Sequence, residues 1–423
     1  MHVALISPKY AAPIRNPDSD ELSLRNGPDK NSFGRGGLGL HVGRLSKALV
    51  QAGCRVTVLA YSPGADGITE ESGATVCRLS LAESHSQVDP DNRDSLNRIY
   101  DRCTTRLNEF FGDNEAIPDI VHCHHHTVFP VAAEIRRRCS TPIVTTFHYL
   151  LSDKASIDQS SVTDATRRGE ATLCGGSDLI IAVSNWLKKA LLRTFEVPDE
   201  SIQVIHHGTE LPSVDENESS AQQWRNKLAP GGERIVTFVG RLSPEKGLQF
   251  HLEAARIVLD HCESVSYAIA GGTPDEVSLV YEQINNTPKL RGKVHLLGWL
   301  DGNQLAGLRQ ASYLAVVPSL YESFGYSAVE AMAASVPVIA SSAGGLPEIV
   351  EDNECGYLVE LQSKEGGRTE LNPLELAERQ LRLLRDARLH DKFALTARLR
   401  ANGLFSVHNM VESTIRAYRK VLA

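Results

Sequence analysis

Residues 235–248 read Ile235-Val-Thr-Phe-Val-Gly-Arg-Leu-Ser-Pro-Glu-Lys-Gly-Leu248, an apolar, β-branched run followed by a polar turn. The run predicts a buried strand, and Pro244 suits the first turn of a helix whose apolar positions recur at helical spacing. A strand, a tight turn and an amphipathic helix form the unit from which helix-covered parallel sheets are built. This stretch therefore predicts an α/β fold.

Short β-branched runs alternate with longer amphipathic stretches on both sides of that unit. In the first half of the chain the strand candidates are His2–Ser7, Arg55–Tyr61, Asp119–Cys123, Pro142–Phe147, Leu179–Ser184 and Ile202–His206. In the second half they are Ile235–Gly240, Val265–Ala270, Val294–Gly298, Leu314–Pro318 and Pro337–Ser341. The alternation predicts two doubly wound parallel sheets with helices on both faces.

A polar stretch containing Pro and Gly, residues 208–232, separates the two series of strands and predicts a linker with one short helix near 222–228. We therefore place an N-terminal domain at residues 1–213 and a C-terminal domain at 214–403. The remaining segment, 404–423, predicts a helix with apolar residues at helical spacing, Val411, Ile415, Tyr418 and Leu422.

The composition is that of an ordinary globular enzyme. The 423 residues include 44 Lys and Arg against 52 Asp and Glu, a formal net charge of −8. This balance argues against an electrostatically driven nucleic-acid binder, and no apolar run approaches the roughly 20 residues of a membrane-spanning helix. The eight cysteines form no Cys-x-x-Cys pair and the first residues lack signal-peptide features, so we expect reduced thiols and a cytoplasmic protein.

A glycine-rich loop, Gly34-Arg-Gly-Gly-Leu-Gly39, precedes a predicted helix. Such a loop lets backbone N–H groups approach a phosphate, and the helix N-terminus adds a favourable dipole. A nicotinamide site is disfavoured because no Asp or Glu occurs from Lys30 to Ala65, where a ribose-binding acid should follow. A phosphate-binding loop and a simple surface turn both remain open.

Charged residues follow two predicted strands of the second half. Arg241 and Lys246 come just after Ile235–Gly240, at the strand end where ligands bind in such sheets. Two cations suit a diphosphate better than a carboxylate. Glu322 follows a later strand, and Glu330 interrupts an apolar helix, where a buried carboxylate needs a partner such as a sugar hydroxyl. The alternatives are two solvated surface cations and a solvent-facing helix carboxylate.

Three segments carry a family resemblance, Phe238-Val-Gly-Arg-Leu-Ser-Pro-Glu-Lys-Gly247, Pro318-Ser-Leu-Tyr-Glu-Ser-Phe-Gly-Tyr-Ser-Ala-Val-Glu-Ala-Met-Ala333 and Gly344-Gly-Leu-Pro-Glu-Ile-Val350. Together they resemble the retaining glycosyltransferases of family GT4, and the similarity covers nearly the whole chain. The resemblance implies the GT-B fold, in which two Rossmann-like doubly wound parallel-sheet domains face each other across a cleft. The N-terminal domain would bind the acceptor and the C-terminal domain the nucleotide-sugar, and the last helix would cross back to the N-terminal domain.

The resemblance also implies roles for individual residues. The expected catalytic residues are His148, Arg241, Lys246 and Glu322. The expected donor-binding residues are Gly36, Gly37, Ser323, Phe324, Gly325 and Glu330. The candidate acceptor contacts are Asp18, Asp20 and His124. The two cations would hold the diphosphate, the first Glu and the His would contact the donor sugar, and the second Glu would bind the ribose.

These assignments predict a metal-independent, retaining hexosyltransferase that moves a sugar from a nucleoside-diphosphate sugar, with UDP favoured, to a small-molecule or glycan acceptor. No cofactor, nucleic-acid partner or integral membrane segment is expected. Two alternatives stay open: a non-catalytic nucleotide-sugar-binding regulatory or scaffold protein, and a sugar-nucleotide epimerase on the same fold.

Other motifs point elsewhere. His122-Cys-His124-His-His126 would suit zinc because alternate residues share a strand face, yet the related transferases have a similar segment without metal. Asp18-Ser-Asp20 and Asp89-Pro-Asp91 are interpreted as solvated turns. Residues Ala11–Arg35 either order over a polar or cationic acceptor or are simply flexible. His207-Gly-Thr-Glu210 departs from the Asn-Gly-Val-Asp that is usual in the family.

Overall fold

The computed structural model describes residues 1–10, 37–62, 67–80, 117–153, 162–211, 217–363 and 369–423. These residues form two compact units. The first contains the described residues as far as Gly208 together with Val407–Ala423, and the second contains Thr209–Ser406. The boundary predicted at residue 213 lies outside the described residues. The binding roles that we assigned to the two domains stay predictions.

The described strands are β1 His2–Ser7, β2 Arg55–Ser62, β3 Gly67–Glu71, β4 Ala74–Ser80, β5 Ile120–Cys123, β6 Ile143–Phe147, β7 Leu179–Ala182, β8 Ile202–Val204, β9 Arg234–Val239, β10 Val265–Ala270, β11 Val294–Gly298, β12 Leu314–Val317, β13 Val338–Ser341, β14 Gly356–Val359, β15 Leu361–Ser363 and β16 Thr369–Leu371. The described α-helices are α1 Gly37–Gln51, α2 Phe129–Cys139, α3 Asp164–Gly175, α4 Asn185–Thr194, α5 Glu218–Leu228, α6 Leu248–His261, α7 Pro274–Asn285, α8 Gly302–Ala311, α9 Tyr326–Ala333, α10 Leu346–Ile349, α11 Pro373–Arg385, α12 Ala387–Leu404 and α13 Val407–Leu422. Within the described ranges, no helix combines the length and the apolar character needed to cross a bilayer.

The first unit is built on an eight-stranded sheet in the order β3-β4-β2-β1-β5-β6-β7-β8. All its neighbouring strands are parallel except β3 and β4, which pair antiparallel. Every residue of the central strand β1 is buried, as expected of a strand with helices on both faces. The predicted stripe of α1 packs on this core through Val42, Leu45 and Leu49, with the half-buried Leu38 beside them.

The hairpin formed by β3 and β4 was not predicted. Its outer strand β3 is mostly exposed, so it lacks the apolar run by which buried strands are recognised. Its turn contains Ser72 and Gly73, both with positive φ, at 52° and 82°.

The second unit is built on a six-stranded parallel sheet in the order β11-β10-β9-β12-β13-β14. A separate antiparallel hairpin joins β15 and β16. Predicted apolar positions of α6, namely Leu248, Leu252, Ala255 and Leu259, all enter the core of this unit. The short edge strand β14 was not predicted.

Several predicted boundaries were wrong by one or two residues, and the reasons are local. The strand predicted as Leu179–Ser184 ends at Ala182, because the Ser184 side chain already caps the next helix by accepting from the Leu187 N–H. Pro244 does not open a long helix. It begins a separate 3₁₀ turn, Pro244–Lys246, which ends at Gly247 with φ of 68°.

The helix α13 belongs to the first unit, where the chain returns after the second. Val411 and Tyr418 are buried in the core of that unit and Ile415 packs against it from a half-buried position. Leu422, the fourth apolar position of the helix, is 47% exposed. It lies in the last turn of the helix, beyond the residues that pack on the sheet. The Tyr418 hydroxyl lies 2.7 Å from Nδ1 of the buried His122 and fixes the helix to the sheet.

Candidate active site

Three loops of the second unit follow strands β9, β12 and β13. Because these strands are parallel neighbours, their carboxyl ends lie at one edge of the sheet, where ligands bind in such folds. The loops touch through their backbones. A Cβ on Gly247 would lie 2.0 Å from the carbonyl oxygen of Pro318, and one on Gly344 would lie 1.9 Å from that of Glu322. Only glycine fits at either place.

Lys246 and Glu322 form an ion pair at this edge, with 2.8 Å between Nζ and Oε2. Their side chains are only 19% and 16% exposed. The hydroxyl of Ser319 donates to the same carboxylate oxygen at 3.4 Å, and the Leu320 N–H donates to the carbonyl of Glu245 at 2.7 Å. The sequence analysis predicted that both residues belong to the site, and the structure places them in direct contact.

Arg241 stands in the same loop, with a side chain that is 64% exposed. Its guanidinium pairs at 2.8 Å with Oε1 of Glu245, whose side chain is only 3% exposed. A buried carboxylate thus anchors an exposed cation beside the strand end. Sequence reasoning missed Glu245, although its spacing of four residues from Arg241 was a visible signal for an ion pair.

Glu330 lies on α9, and its carboxylate pairs with the guanidinium of Arg309 on α8. The side chains are 12% and 15% exposed, so the prediction that this carboxylate needs a partner is consistent with the structure. The partner within the described residues is an arginine, which sequence reasoning missed because the two residues are 21 positions apart on different helices. The ribose-binding role of Glu330 stays a prediction.

Ser323, Phe324 and Gly325 lead into α9. Gly325 has φ of 122° and precedes the first helical residue, so the first N–H groups of the helix lie beside it. Ser323 and Phe324 are buried, and the Phe324 ring packs on Tyr326 with ring centroids 5.5 Å apart. The predicted donor contacts of this segment would therefore come from the backbone.

The first unit holds a cluster of imidazoles at the carboxyl ends of its strands. His124 follows β5, His148 follows β6 and His207 follows β8, while His41 projects from α1. Nδ1 of His124 lies 3.1 Å from Nε2 of His148, whose Nδ1 lies 3.3 Å from Nε2 of His207. The His41 ring centroid is 4.3 Å from that of His207 and 4.8 Å from that of His148.

Burial keeps these imidazoles neutral. Loss of solvation lowers the pKa of His148 to about 3. Burial first, and then repulsion from neighbouring imidazoles, lowers the pKa values of His41, His124 and His207 well below the usual 6.5. At neutral pH the uncharged imidazoles can therefore donate and accept hydrogen bonds. Their nitrogen lone pairs can also bind a cation. Cys123 is no nucleophile, because burial raises the pKa of its thiol to about 12.

The sequence predicted His124 and His148 but not their neighbours. His207 was noted only as a departure from the family pattern. His41 was not singled out, because it lies in a helix that was recognised from its apolar residues. Zinc binding by the segment 122–126 is disfavoured, because both ring nitrogens of His122 already have hydrogen-bond partners, Tyr418 and Thr146, each at 2.7 Å.

Some predicted residues cannot be placed. Gly36, Asp18 and Asp20 lie outside the described residues, as do Ala11–Arg35 and the pair at residues 89 and 91. Gly37 is the first residue of α1 and is exposed.

Comparison with known proteins agrees with the fold. The chain matches the family Glycosyltransferase Family 4 over residues 35–211 and the family Glycosyl transferases group 1 over residues 220–399. A D-inositol 3-phosphate glycosyltransferase of Corynebacterium diphtheriae is 26% identical over 373 residues, which is 85% of this chain and 83% of that protein. An alpha-maltose-1-phosphate synthase of Mycolicibacterium smegmatis is 30% identical over 60% of this chain and 66% of that protein.

Two solved structures share the architecture. Sucrose-phosphate synthase from Thermosynechococcus elongatus superimposes with a TM-score of 0.78 at 23% identity, over 99% of this chain and 98% of that one. HepE from Anabaena, in complex with UDP and glucose, superimposes with a TM-score of 0.74 at 20% identity, over 99% and 100%. The two parallel-sheet units have the GT-B fold, and the family matches over residues 35–211 and 220–399 identify a glycosyltransferase. By its sequence the chain belongs to the GT4-type glycosyltransferases.

Proposed function

We propose that this glycosyltransferase moves a sugar, with retention of its anomeric configuration and without a metal ion, from a nucleoside-diphosphate sugar to a hydroxyl of a small polar or sugar-containing acceptor. The observation that carries the proposal is the ion pair of Lys246 with Glu322 at the strand ends. When a donor binds, the Lys246 ammonium can pair with the diphosphate instead of the carboxylate. The Glu322 carboxylate is then available to accept hydrogen bonds from sugar hydroxyls.

The reaction needs charge stabilisation more than proton transfer. As the bond from sugar to phosphate breaks, negative charge grows on the diphosphate, and Lys246 with Arg241 offsets it. The acceptor oxygen then bonds to the anomeric carbon on the face that the diphosphate leaves, and the leaving phosphate takes the proton of the acceptor hydroxyl. Glu322 and the neutral imidazole of His148 act on the donor sugar as hydrogen-bonding groups. Glu330, held in place by Arg309, binds the ribose hydroxyls.

UDP is the favoured nucleotide. Its support is HepE, a structural neighbour whose complexes contain UDP, UDP-glucose, or UDP with glucose. For the acceptor, relatives named for D-inositol 3-phosphate make polyol phosphates the first compounds to test, followed by free sugars and sugar phosphates. Residues Asp18, Asp20 and His124 stay candidate acceptor contacts.

The test is a transfer assay in which the full chain is incubated with UDP-, GDP- or ADP-sugars and an acceptor panel, in the presence of EDTA. Nucleoside diphosphate release and the anomeric proton of the product are followed by NMR. We expect acceptor-dependent release and an α-linked product from an α-linked donor. We also expect Lys246→Ala to lower kcat/KM by about 10²–10³-fold, while the exposed Arg256→Ala on the next helix does not.

Each contrary result identifies a different error. A β-linked product would contradict retention, and a requirement for added metal would contradict metal independence. A changed nucleotide-sugar without any acceptor would support the epimerase alternative. Nucleotide binding without turnover of any donor would support the non-catalytic regulatory or scaffold alternative.

A further inference from the structure

We propose that His41, His148 and His207 form a binding site for one divalent transition-metal ion of the zinc class. Each residue offers one ring nitrogen, and the three nitrogen atoms lie within 4.8 Å of one another. The site is separate from the segment 122–126 whose spacing had suggested zinc.

The spacing is close to what a tetrahedral ion requires. Bonds of about 2.0–2.1 Å from zinc to imidazole nitrogen place two ligand atoms about 3.3 Å apart in a tetrahedron. Nδ1 of His148 and Nε2 of His207 are 3.3 Å apart. The three ligand nitrogens lie within 4.8 Å of one another, so His41 needs a shift of up to about 1.5 Å to complete the set.

The three ligands come from separate parts of a rigid framework. His41 lies within α1, and His148 and His207 follow strands β6 and β8, which lie on either side of β7 in the sheet. His41 and His207 are each 4% exposed, so their rings are held by packing rather than by solvent. Three protein ligands leave the fourth position of a tetrahedral ion to water or to a ligand.

His148 also has a hydrogen-bond partner for its second ring nitrogen, which in metal-bound histidines fixes the tautomer and the ring orientation. Its Nε2 lies 3.1 Å from Nδ1 of His124, so when Nε2 carries the proton it donates to His124. The lone pair of Nδ1 is then directed toward His207. A set of three neutral imidazoles favours zinc, cobalt, nickel or copper over magnesium and calcium, which prefer oxygen ligands.

An ion at this site would inhibit transfer, because it occupies the ring that we assign to the donor sugar. This consequence rests on the proposed function, whereas the metal site itself does not.

The test uses the full chain without an affinity tag, since a polyhistidine tag would bind the same metals. Cobalt(II) is titrated and its visible absorption bands report the geometry, and zinc is then added in competition. We expect one tetrahedral cobalt ion per chain, displaced by one equivalent of zinc. His41→Gln and His207→Gln should each weaken cobalt binding at least tenfold, while His408→Gln, at a histidine whose side chain is 75% exposed in the same unit, should not.

Thermal unfolding checks that each variant folds. If the buried His41→Gln fails that check, the half-buried His148→Gln replaces it. Absence of tetrahedral cobalt bands overturns the proposal. So does unchanged cobalt affinity in the folded variants, or a loss that His408→Gln shares.

A second arm runs the transfer assay without EDTA, adds zinc, and then adds EDTA to reverse any inhibition that zinc causes. If zinc inhibits sugar transfer by the natural chain but not by His41→Gln, the result supports inhibition through this site. Full transfer activity with zinc bound overturns it. A chain that binds cobalt but transfers no sugar refutes the proposed function and leaves the metal site standing.

Discussion

Lys246 and Glu322 depend on each other electrostatically, because both side chains are largely removed from solvent. Removing one partner leaves an uncompensated, partly buried charge, whereas removing both charges does not. Lys246→Met should therefore lower the free energy of unfolding of the second unit by about 1–2 kcal/mol. The double variant Lys246→Met with Glu322→Gln should recover much of that loss and still not bind a diphosphate.

Urea unfolding followed by the fluorescence of Trp224 and Trp299, which lie in the second unit, measures the stability. Losses in the two single variants that simply add in the double variant would show that the charges are independent.

His251 is a buried histidine for which the structure provides no hydrogen-bond partner among the described residues. It is fully buried between Phe238 and Tyr267, with ring centroids 5.9 and 5.5 Å away, and burial lowers its pKa to about 3. The unfolded chain binds the proton at about pH 6.5, so the associated stability is complete above that pH and is lost as the pH falls toward 3.

We expect His251→Met to stabilise the second unit relative to the natural chain, and this advantage should grow by about 1 kcal/mol between pH 7 and pH 5.5. Urea unfolding at the two pH values measures it. Leu252→Met, at the neighbouring buried position of the same helix, is the control because it changes no titrating group. An advantage of His251→Met that is equal at both pH values would show that the histidine is not buried in its neutral form.

Among the secondary structure elements, the turn that ends at Gly247 joins the Lys246 loop to the β12 loop. Gly247→Ala should destabilise the second unit by at least about 2 kcal/mol, since the Cβ would meet the Pro318 carbonyl at 2.0 Å and φ is 68°. Nucleotide affinity should fall with it. Gly292→Ala is the matched control, because φ is 73° there and nothing lies within 4 Å of the Cβ, so only about 1 kcal/mol of backbone strain is expected. Equal effects of the two substitutions would refute the close approach of the loops.

The helix α13 is fixed to the first unit by a hydrogen bond as well as by packing. Tyr418→Phe leaves Nδ1 of the buried His122 without its partner at 2.7 Å, so the first unit should lose about 1–2 kcal/mol of stability. The exposed Leu422→Ala in the same helix should change it by less than about 0.5 kcal/mol. Urea unfolding followed by Trp186 fluorescence distinguishes the two. A larger effect at Leu422 would mean that the end of the helix is buried.

Across the whole molecule, both units place their polar clusters at the carboxyl ends of parallel strands. The sequence predicted this arrangement because apolar strands and the residues that follow them are local features. It did not reveal which side chains meet. Arg309 meets Glu330, and His41 meets His207, through contacts between distant elements that no periodicity encodes. Strand β3 was missed for the related reason that it is mostly exposed and buries too little to leave a pattern.

The central claim is that the second unit binds a nucleoside diphosphate through Lys246. Isothermal titration calorimetry of UDP, GDP and ADP with the natural chain, Lys246→Ala and the control Arg256→Ala tests it most directly. We predict that one of these nucleotides binds with one site per chain. Lys246→Ala should weaken that binding by about 10–100-fold, equivalent to the 1.5–3 kcal/mol of a typical charge-assisted hydrogen bond, and Arg256→Ala should leave it unchanged. Absence of binding by all three nucleotides, or equal affinity in Lys246→Ala and the natural chain, would contradict the claim.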